Sequence, residues 1–325
     1  MEATPNMGRT FSLAQNLVHS DDFKPDFVWG VATSAYQIEG AASQGGRDAI
    51  VNGDNGNNGT NSYYKYKEDV QMMKTMGVNA YRFSISWTRI FPGGRPTNGV
   101  NKEGVDYYNN LINELILCGI TPYVTLFHWD TPETLEEEYM GFLTFYEPLN
   151  PEKQEDKDAA IRAIDFIFGW FMEPLFSGKY PGTMIKYVTG GRLPEFTVEQ
   201  AKLIKGSYDF LGLNYYTSYY ATTAEASQVP SYTTDSNVHQ QAEGLDGKPI
   251  GPQGGSDWLY SYPLGLYKIL QRIKHTYGDP LILITENGWP DKSSDDITIS
   301  VACTDTQRID YHKTHLQKLR DAGWR

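Results

Sequence analysis

Apolar and polar positions along the chain follow two rhythms. Near-continuous apolar runs occur at Phe27-Val28-Trp29-Gly30-Val31-Ala32, Ala80-Tyr81-Arg82-Phe83-Ser84-Ile85, Pro122-Tyr123-Val124-Thr125-Leu126-Phe127, Tyr208-Asp209-Phe210-Leu211-Gly212-Leu213-Asn214 and Leu281-Ile282-Leu283-Ile284-Thr285. Such runs suit strands covered on both faces. Between them, apolar residues fall three and four apart and predict helices over about 62–76, 102–118, 156–173, 197–205, 263–276 and 305–321. In the second helix Val105, Tyr108, Leu111, Ile112, Leu115 and Ile116 share one face. Gly77 and Gly119 stand where helices end in a left-handed residue. Thr304 with Gln307 predicts a capping box on the last helix. The middle breaks the rhythm: no buried strand is predicted over 131–207, and the polar stretch 217–257 reads as loop with room for a hairpin. Residues 1–20 read as a flexible arm and 21–325 as a single domain.

Strands separated by helices predict a parallel sheet with helical crossovers, as an open doubly wound sheet or a (β/α)8 barrel. No G-x-G-x-x-G follows the first run, and no G-x-x-x-x-G-K-[ST] occurs, which lowers the case for nucleotide binding. Charge then narrows the partners: 28 basic against 40 acidic residues give −12, which excludes a large nucleic-acid footprint. No stretch approaches about 20 apolar residues, so no membrane span is expected. The N-terminus lacks the apolar run of a signal peptide, which favours the cytoplasm. Asn58-Gly-Thr60 is a glycosylation triplet but does not establish secretion. Cys118 and Cys303 are too few for a disulfide framework. The 23 Tyr and 7 Trp fit aromatic core filling first, and a site for a sugar or planar ligand second.

Both parallel architectures place the ligand at the carboxyl ends of the strands. There the five runs deliver Tyr36, Gln37 and Glu39; Ser86, Trp87 and Arg89, with Arg82 inside the strand; His128, Trp129 and Asp130; Asn214, Tyr215 and Tyr216; and Glu286 and Asn287. Amide, indole, imidazole, phenol and carboxylate at one mouth describe a neutral polyol site with a central carboxylate. Taken alone, each residue has a plainer reading. Glu286 fits an exposed loop carboxylate, His128 a structural histidine, and Gln37 and Asn214 loop caps. Arg82 needs a partner if buried, and directed at Glu286 it would hold that carboxylate ionised. His312 and His315 sit three apart on a helix, but without an acidic or Cys partner nearby they read as a solvated face and not as metal ligands.

The motifs resemble glycoside hydrolase family 1. Residues 27–40, FVWGVATSAYQIEG, resemble its N-terminal signature, and Tyr81 to Trp87, YRFSISW, its second strand. His128-Trp129-Asp130 resembles the sugar-binding motif of the third strand, Asp209 to Thr217 the sixth strand, and Ile284-Thr285-Glu286-Asn287-Gly288 the nucleophile motif. The segments NPEKQEDKDAAIRAIDFIFGWFMEP and GGSDWLYSYPLGLYKIL are most similar to plant β-glucosidases, including those acting on alkaloid glucosides. The resemblance implies a (β/α)8 barrel and retaining hydrolysis of β-glucosides of small plant metabolites, without metal or organic cofactor. It implies Glu286 as the catalytic nucleophile and Arg82 as its positioning residue. Gln37, His128, Trp129, Asn214 and Tyr216 would bind the substrate. A homo-oligomer is compatible with it.

The chain also departs from the family. A loop is missing between Arg47 and Val51, and a second gap lies between Phe142 and about Tyr146. That gap is expected to remove the fourth and fifth strands, together with the T-F-N-E-P motif that carries the acid/base glutamate. The C-terminus stops before the eighth strand. Thr144-Phe145-Tyr146-Glu147-Pro148 looks like the lost motif, but only 19 positions separate His128 from Glu147, too few for a helix and a new strand. The segment reads instead as the loop after the fifth strand. The expectation is therefore an incomplete barrel with strands 4, 5 and 8 missing and poor solubility, and a β-glucosidase impaired by loss of its acid. The rivals are a non-catalytic glucoside-binding or interaction protein on the same scaffold, and a structural partner of full-length copies.

Overall fold

The structure is a computed structural model that describes residues 20–41, 59–92, 95, 97, 99–126, 128, 143–292 and 297–323. The chain divides into two compact units, Asp26–Met140, and Met1–Pro25 together with Gly141–Arg325. The predicted arm 1–20 lies, except for Ser20, outside the described residues.

In the unit Asp26–Met140 the elements are β1 (Gly30–Ala32), the one-turn α1 (Ala35–Ile38), α2 (Ser62–Met76), β2 (Ala80–Ser84), α3 (Trp87–Ile90), α4 (Lys102–Leu117) and β3 (Thr121–Thr125). The strands form a parallel sheet in the order β1-β2-β3, with Val31 opposite Tyr81 and Arg82 opposite Tyr123. Helix α4 starts where the Asn101 side chain accepts the Glu103 N–H at 3.2 Å, which satisfies one orphan donor of the first turn. Its face of Tyr107, Tyr108, Leu111 and Leu115 packs with Val70 and Met73 of α2 and with Tyr81 and Phe83 of β2. Ile116, placed on that face by spacing, is exposed, since Leu115 takes the buried position.

The second unit contains β4 (Leu143–Pro148), α5 (Gln154–Ile164), α6 (Trp170–Ser177), α7 (Gly182–Tyr187), α8 (Val198–Ile204), β5 (Leu211–Thr223), β6 (Val238–Gln241), α9 (Pro263–Tyr277), β7 (Ile282–Glu286), α10 (Ile299–Ala302) and α11 (Thr306–Asp321). Strand β5 organises the sheet: β7 and β4 pair with it in parallel, and β6 antiparallel. The predicted helix 156–173 is α5 and α6 joined through a π-helical turn, Asp165–Gly169. Gly265, in the first turn of α9, lets the helix close onto β5. A Cβ there would collide with Ser218 Oγ and Tyr215 Oη.

Three sequence expectations are corrected. A strand does occur within 131–207: β4 spans Leu143–Pro148 and pairs with β5, the strand that resembles the sixth of the family. It therefore occupies the fifth strand's place, so that strand is not missing. The Thr144–Pro148 segment looked like a loop because its apolar run is too short to read without its partner strand. The polar stretch from 217 is strand as far as Thr223, because Thr and Tyr suit a pleated surface paired on both edges. Its continuation into β6 realises the hairpin. Finally, Thr304 does not cap α11. Asp305 precedes that helix in a left-handed conformation without a side-chain cap, and Gln307 accepts instead from Trp289 Nε1. The capping box is at α8, between Thr197 and Gln200.

Candidate active site

Strand β7 ends in Glu286, and its register sets Asn214 of β5 directly opposite. Side chains alternate along β5, so Leu213 and Tyr215 are buried on one face while Asn214 and Tyr216 emerge half-buried on the other. That places the Tyr216 hydroxyl on the Glu286 carboxylate, donating to Oε2 at 2.6 Å. A bond this short lies in the range of charge-assisted pairs and fixes the orientation of the carboxyl group. Thr285 Oγ1 donates to Asn214 Oδ1 at 2.7 Å, so the amide turns its oxygen to the protein and its NH2 is the end left for a ligand. Asn214, Tyr216 and Glu286 are thus brought together.

Behind them, Asn287 Nδ2 donates to the Tyr215 carbonyl at 2.8 Å and to Tyr311 Oη at 3.0 Å. Tyr311 Oη donates in turn to the Tyr216 carbonyl at 2.9 Å. Burial pushes the Tyr311 phenol up, so it stays a protonated donor. The ring packs with Leu259 and Trp289, with Tyr216 against the cluster. Sequence reasoning missed Tyr311; its only signal was an aromatic residue on the apolar face of the last helix. The solvated-face reading of His315 is corrected. It is 2% exposed, its ring lies 3.9 Å from that of Tyr311, and Nδ1 bonds the Tyr311 carbonyl at 2.7 Å. Burial lowers its pKa to about 4. Among the described residues no group of His, Cys, Asp or Glu is placed to hold a metal ion, and no helix is long and apolar enough to cross a membrane.

Glu147 lies elsewhere on the sheet. It pairs with Tyr220 of β5, whereas Glu286 pairs with Asn214. That register difference along one strand corresponds to about 20 Å at roughly 3.3 Å per residue. Two glutamate side chains cannot close it to the roughly 5–5.5 Å of a retaining pair, nor to the roughly 6.5–9.5 Å of an inverting one. The Glu147 carboxylate is occupied by Lys268 Nζ at 2.5 Å and the Tyr262 hydroxyl at 2.9 Å.

In the unit Asp26–Met140, Gln37 is exposed on α1, Arg82 is the half-buried residue of β2, and His128 is half-buried after β3. Trp129 lies outside the described residues. Glu39 and Arg89, candidates at the strand ends, form a buried ion pair at 2.8 Å, with Tyr108 Oη on Glu39 at 2.7 Å. They therefore hold α1 against α3 and α4 and do not face a ligand.

Parallel strands with helical crossovers thus carry, at one strand's carboxyl end, a carboxylate bonded by a tyrosine. The sequence model of glycosyl hydrolase family 1 matches residues 19–145 and 142–323, and the chain belongs to that family. It is a glycoside hydrolase of the β-glucosidase kind, with the (β/α)8-barrel fold class. Raucaffricine-O-β-D-glucosidase of Rauvolfia serpentina is 36% identical, covering 94% of this chain and 82% of its own length. Oleuropein β-glucosidase of Olea europaea is 34% identical over 98% of this chain and 82% of its own. The crystal structure of a rice Os3BGlu6 β-glucosidase superposes with a TM-score of 0.84 at 30% identity, covering 93% of this chain and 87% of that one. The alignment to the Rauvolfia enzyme spans 442 positions against 325 residues here, so that relative carries internal segments this chain lacks. The two matched segments meet at 142–145, where the gap was expected.

Proposed function

We propose that the chain is a retaining β-glucosidase for β-glucosides of small plant metabolites, with Glu286 as its nucleophile, and that it is impaired for want of an acid. The carrying observation is the 2.6 Å bond from Tyr216 to Glu286 at a strand's carboxyl end. A carboxylate aimed by a phenol is suited to attack an anomeric carbon. In this reading Asn214 and Tyr216 bind the sugar beside Glu286. For Gln37, His128 and Trp129 as sugar-binding residues and Arg82 as a positioning residue, the support is the resemblance of their motifs to the family. The relatives named for raucaffricine and oleuropein support the substrate class. The test is 2,4-dinitrophenyl 2-deoxy-2-fluoro-β-glucoside, whose leaving group needs little protonation. The expected result is one covalent fluoroglucosyl group mapped to Glu286; a label on another residue removes the assignment.

A second reading is favoured by the register of Glu147, which sets it far from Glu286. In that reading the chain binds glucosides without turning them over. Saturable binding of an alkyl β-glucoside without labelling of Glu286 selects it.

A further inference from the structure

We infer that Tyr311 is a positioning residue for the nucleophile, a buried group that bonds both the strand end bearing Tyr216 and the strand end bearing Glu286 and Asn287. Its hydroxyl donates to the Tyr216 carbonyl at 2.9 Å and accepts from Asn287 Nδ2 at 3.0 Å. Asn287 adjoins Glu286 in sequence, and Tyr216 bonds its carboxylate. Each side of the nucleophile's hydrogen bond is therefore anchored to the same buried phenol. The phenol itself cannot drift. It is 2% exposed, its ring packs 5.3 Å from Trp289 and 3.9 Å from His315, and its carbonyl holds His315 Nδ1. Helix α11 thus reaches the Glu286 carboxylate indirectly, through Tyr311 and its bonds to Asn287 and Tyr216. Backbone hydrogen bonds between β5 and β7 fix the spacing of the strands; the tyrosine fixes the rotation of their ends, where the ladder stops. Small misplacements of a reacting group are costly: about 1 Å is worth roughly 10²-fold in rate.

This inference rests on the glucosidase reading for its kinetic consequence but not for its structural one, and the test separates them. Tyr311→Phe keeps the ring and removes the hydroxyl. Hydrogen exchange followed by mass spectrometry needs no activity. Faster exchange confined to peptides spanning 214–217 and 285–288 is expected; unchanged exchange there, or a rise throughout the chain, overturns the proposal. The rate of fluoroglucoside labelling supplies the kinetic arm. Tyr311→Phe is expected to slow labelling at saturation about tenfold with half-saturation changed less than twofold, and to add little in a Tyr216→Phe background. An equal, additive loss in both backgrounds shows a general structural role and overturns it. If the unsubstituted chain is not labelled, the glucosidase reading fails and the exchange pattern decides the placement.

Discussion

Glu147→Gln separates the two possible meanings of the Thr144–Pro148 segment. If Glu147 were the acid/base, its loss would cost roughly 10²–10⁴-fold on glucosides with poor leaving groups, the usual contribution of general acid catalysis. The register argues otherwise, since Glu147 pairs with Tyr220 and Glu286 with Asn214. The expected effect is then on stability alone. Glutamine keeps an acceptor for the Tyr262 hydroxyl, which stays protonated because burial pushes that phenol up even without the Glu147 charge. It loses the ion pair with Lys268, whose side chain is 38% exposed, so solvent screening limits the loss to about 1 kcal/mol. For a unit of this size about 1 kcal/mol lowers Tm by roughly 2–4 °C. Thermal melts, together with initial rates on 2,4-dinitrophenyl and octyl β-glucosides, are the assay. A small drop in Tm with every rate within twofold fits the reasoning. A hundredfold loss on the octyl glucoside at unchanged Tm refutes it and restores Glu147 as the acid.

Tyr216→Phe removes a charge-assisted bond to Glu286, of the kind worth about 1.5–3 kcal/mol, so labelling by the activated fluoroglucoside should slow roughly 10–100-fold; an unchanged rate would detach Tyr216 from the nucleophile. His315, with a folded pKa of about 4 against 6.5 unfolded, is held neutral by burial first and by nearby His312. The unfolded chain therefore takes up the proton first, so this stabilisation is full above pH 6.5 and is lost as pH falls towards 4, by about 3 kcal/mol in all. Urea midpoints that fall between pH 7 and pH 4.5 in the native chain, and fall less in His315→Gln, are expected; parallel curves would remove the assignment.

Much of the fold was legible because it rests on local period. The five apolar runs and the face of α4 follow from spacing alone, and each lies where the structure has a strand or that helix. Strand β4 was not legible: six residues, two of them polar, become strand only through pairing with β5. The same holds for the end of β5, where Thr217 to Thr223 runs through Thr, Ser, Tyr and Ala without an alternating apolar signal. At the site, the trio of Asn214, Tyr216 and Glu286 could be read from strand ends, since a strand's carboxyl end is a place that sequence defines. Tyr311 could not, because its partners are a carbonyl and an amide supplied by two distant strands. The Glu39–Arg89 pair misled for the converse reason. Charged residues just past a strand read as ligand groups until a buried partner is seen.

If the proposed retaining mechanism holds, the arrangement around Glu286 bears on which half of a two-step hydrolysis the chain can perform. Attack on the anomeric carbon needs a carboxylate held in a fixed orientation, and Tyr216, with Asn287 and Tyr311 behind it, supplies that condition. Departure of the aglycone needs a proton in proportion to the basicity of the leaving oxygen. Glu147 cannot deliver that proton from about 20 Å along the strand, and Lys268 already holds its carboxylate. The two requirements therefore separate in substrate choice. Rates should fall steeply as the leaving-group pKa rises from dinitrophenol to simple alcohols, because the whole negative charge develops unaided on the departing oxygen. A glucosidase with both carboxyl groups in reach shows a shallow dependence, since its acid takes over as the leaving group worsens. A series of aryl β-glucosides measured on one preparation distinguishes the two. A flat dependence across the series would require an acid within reach of Glu286 and would end the argument from register.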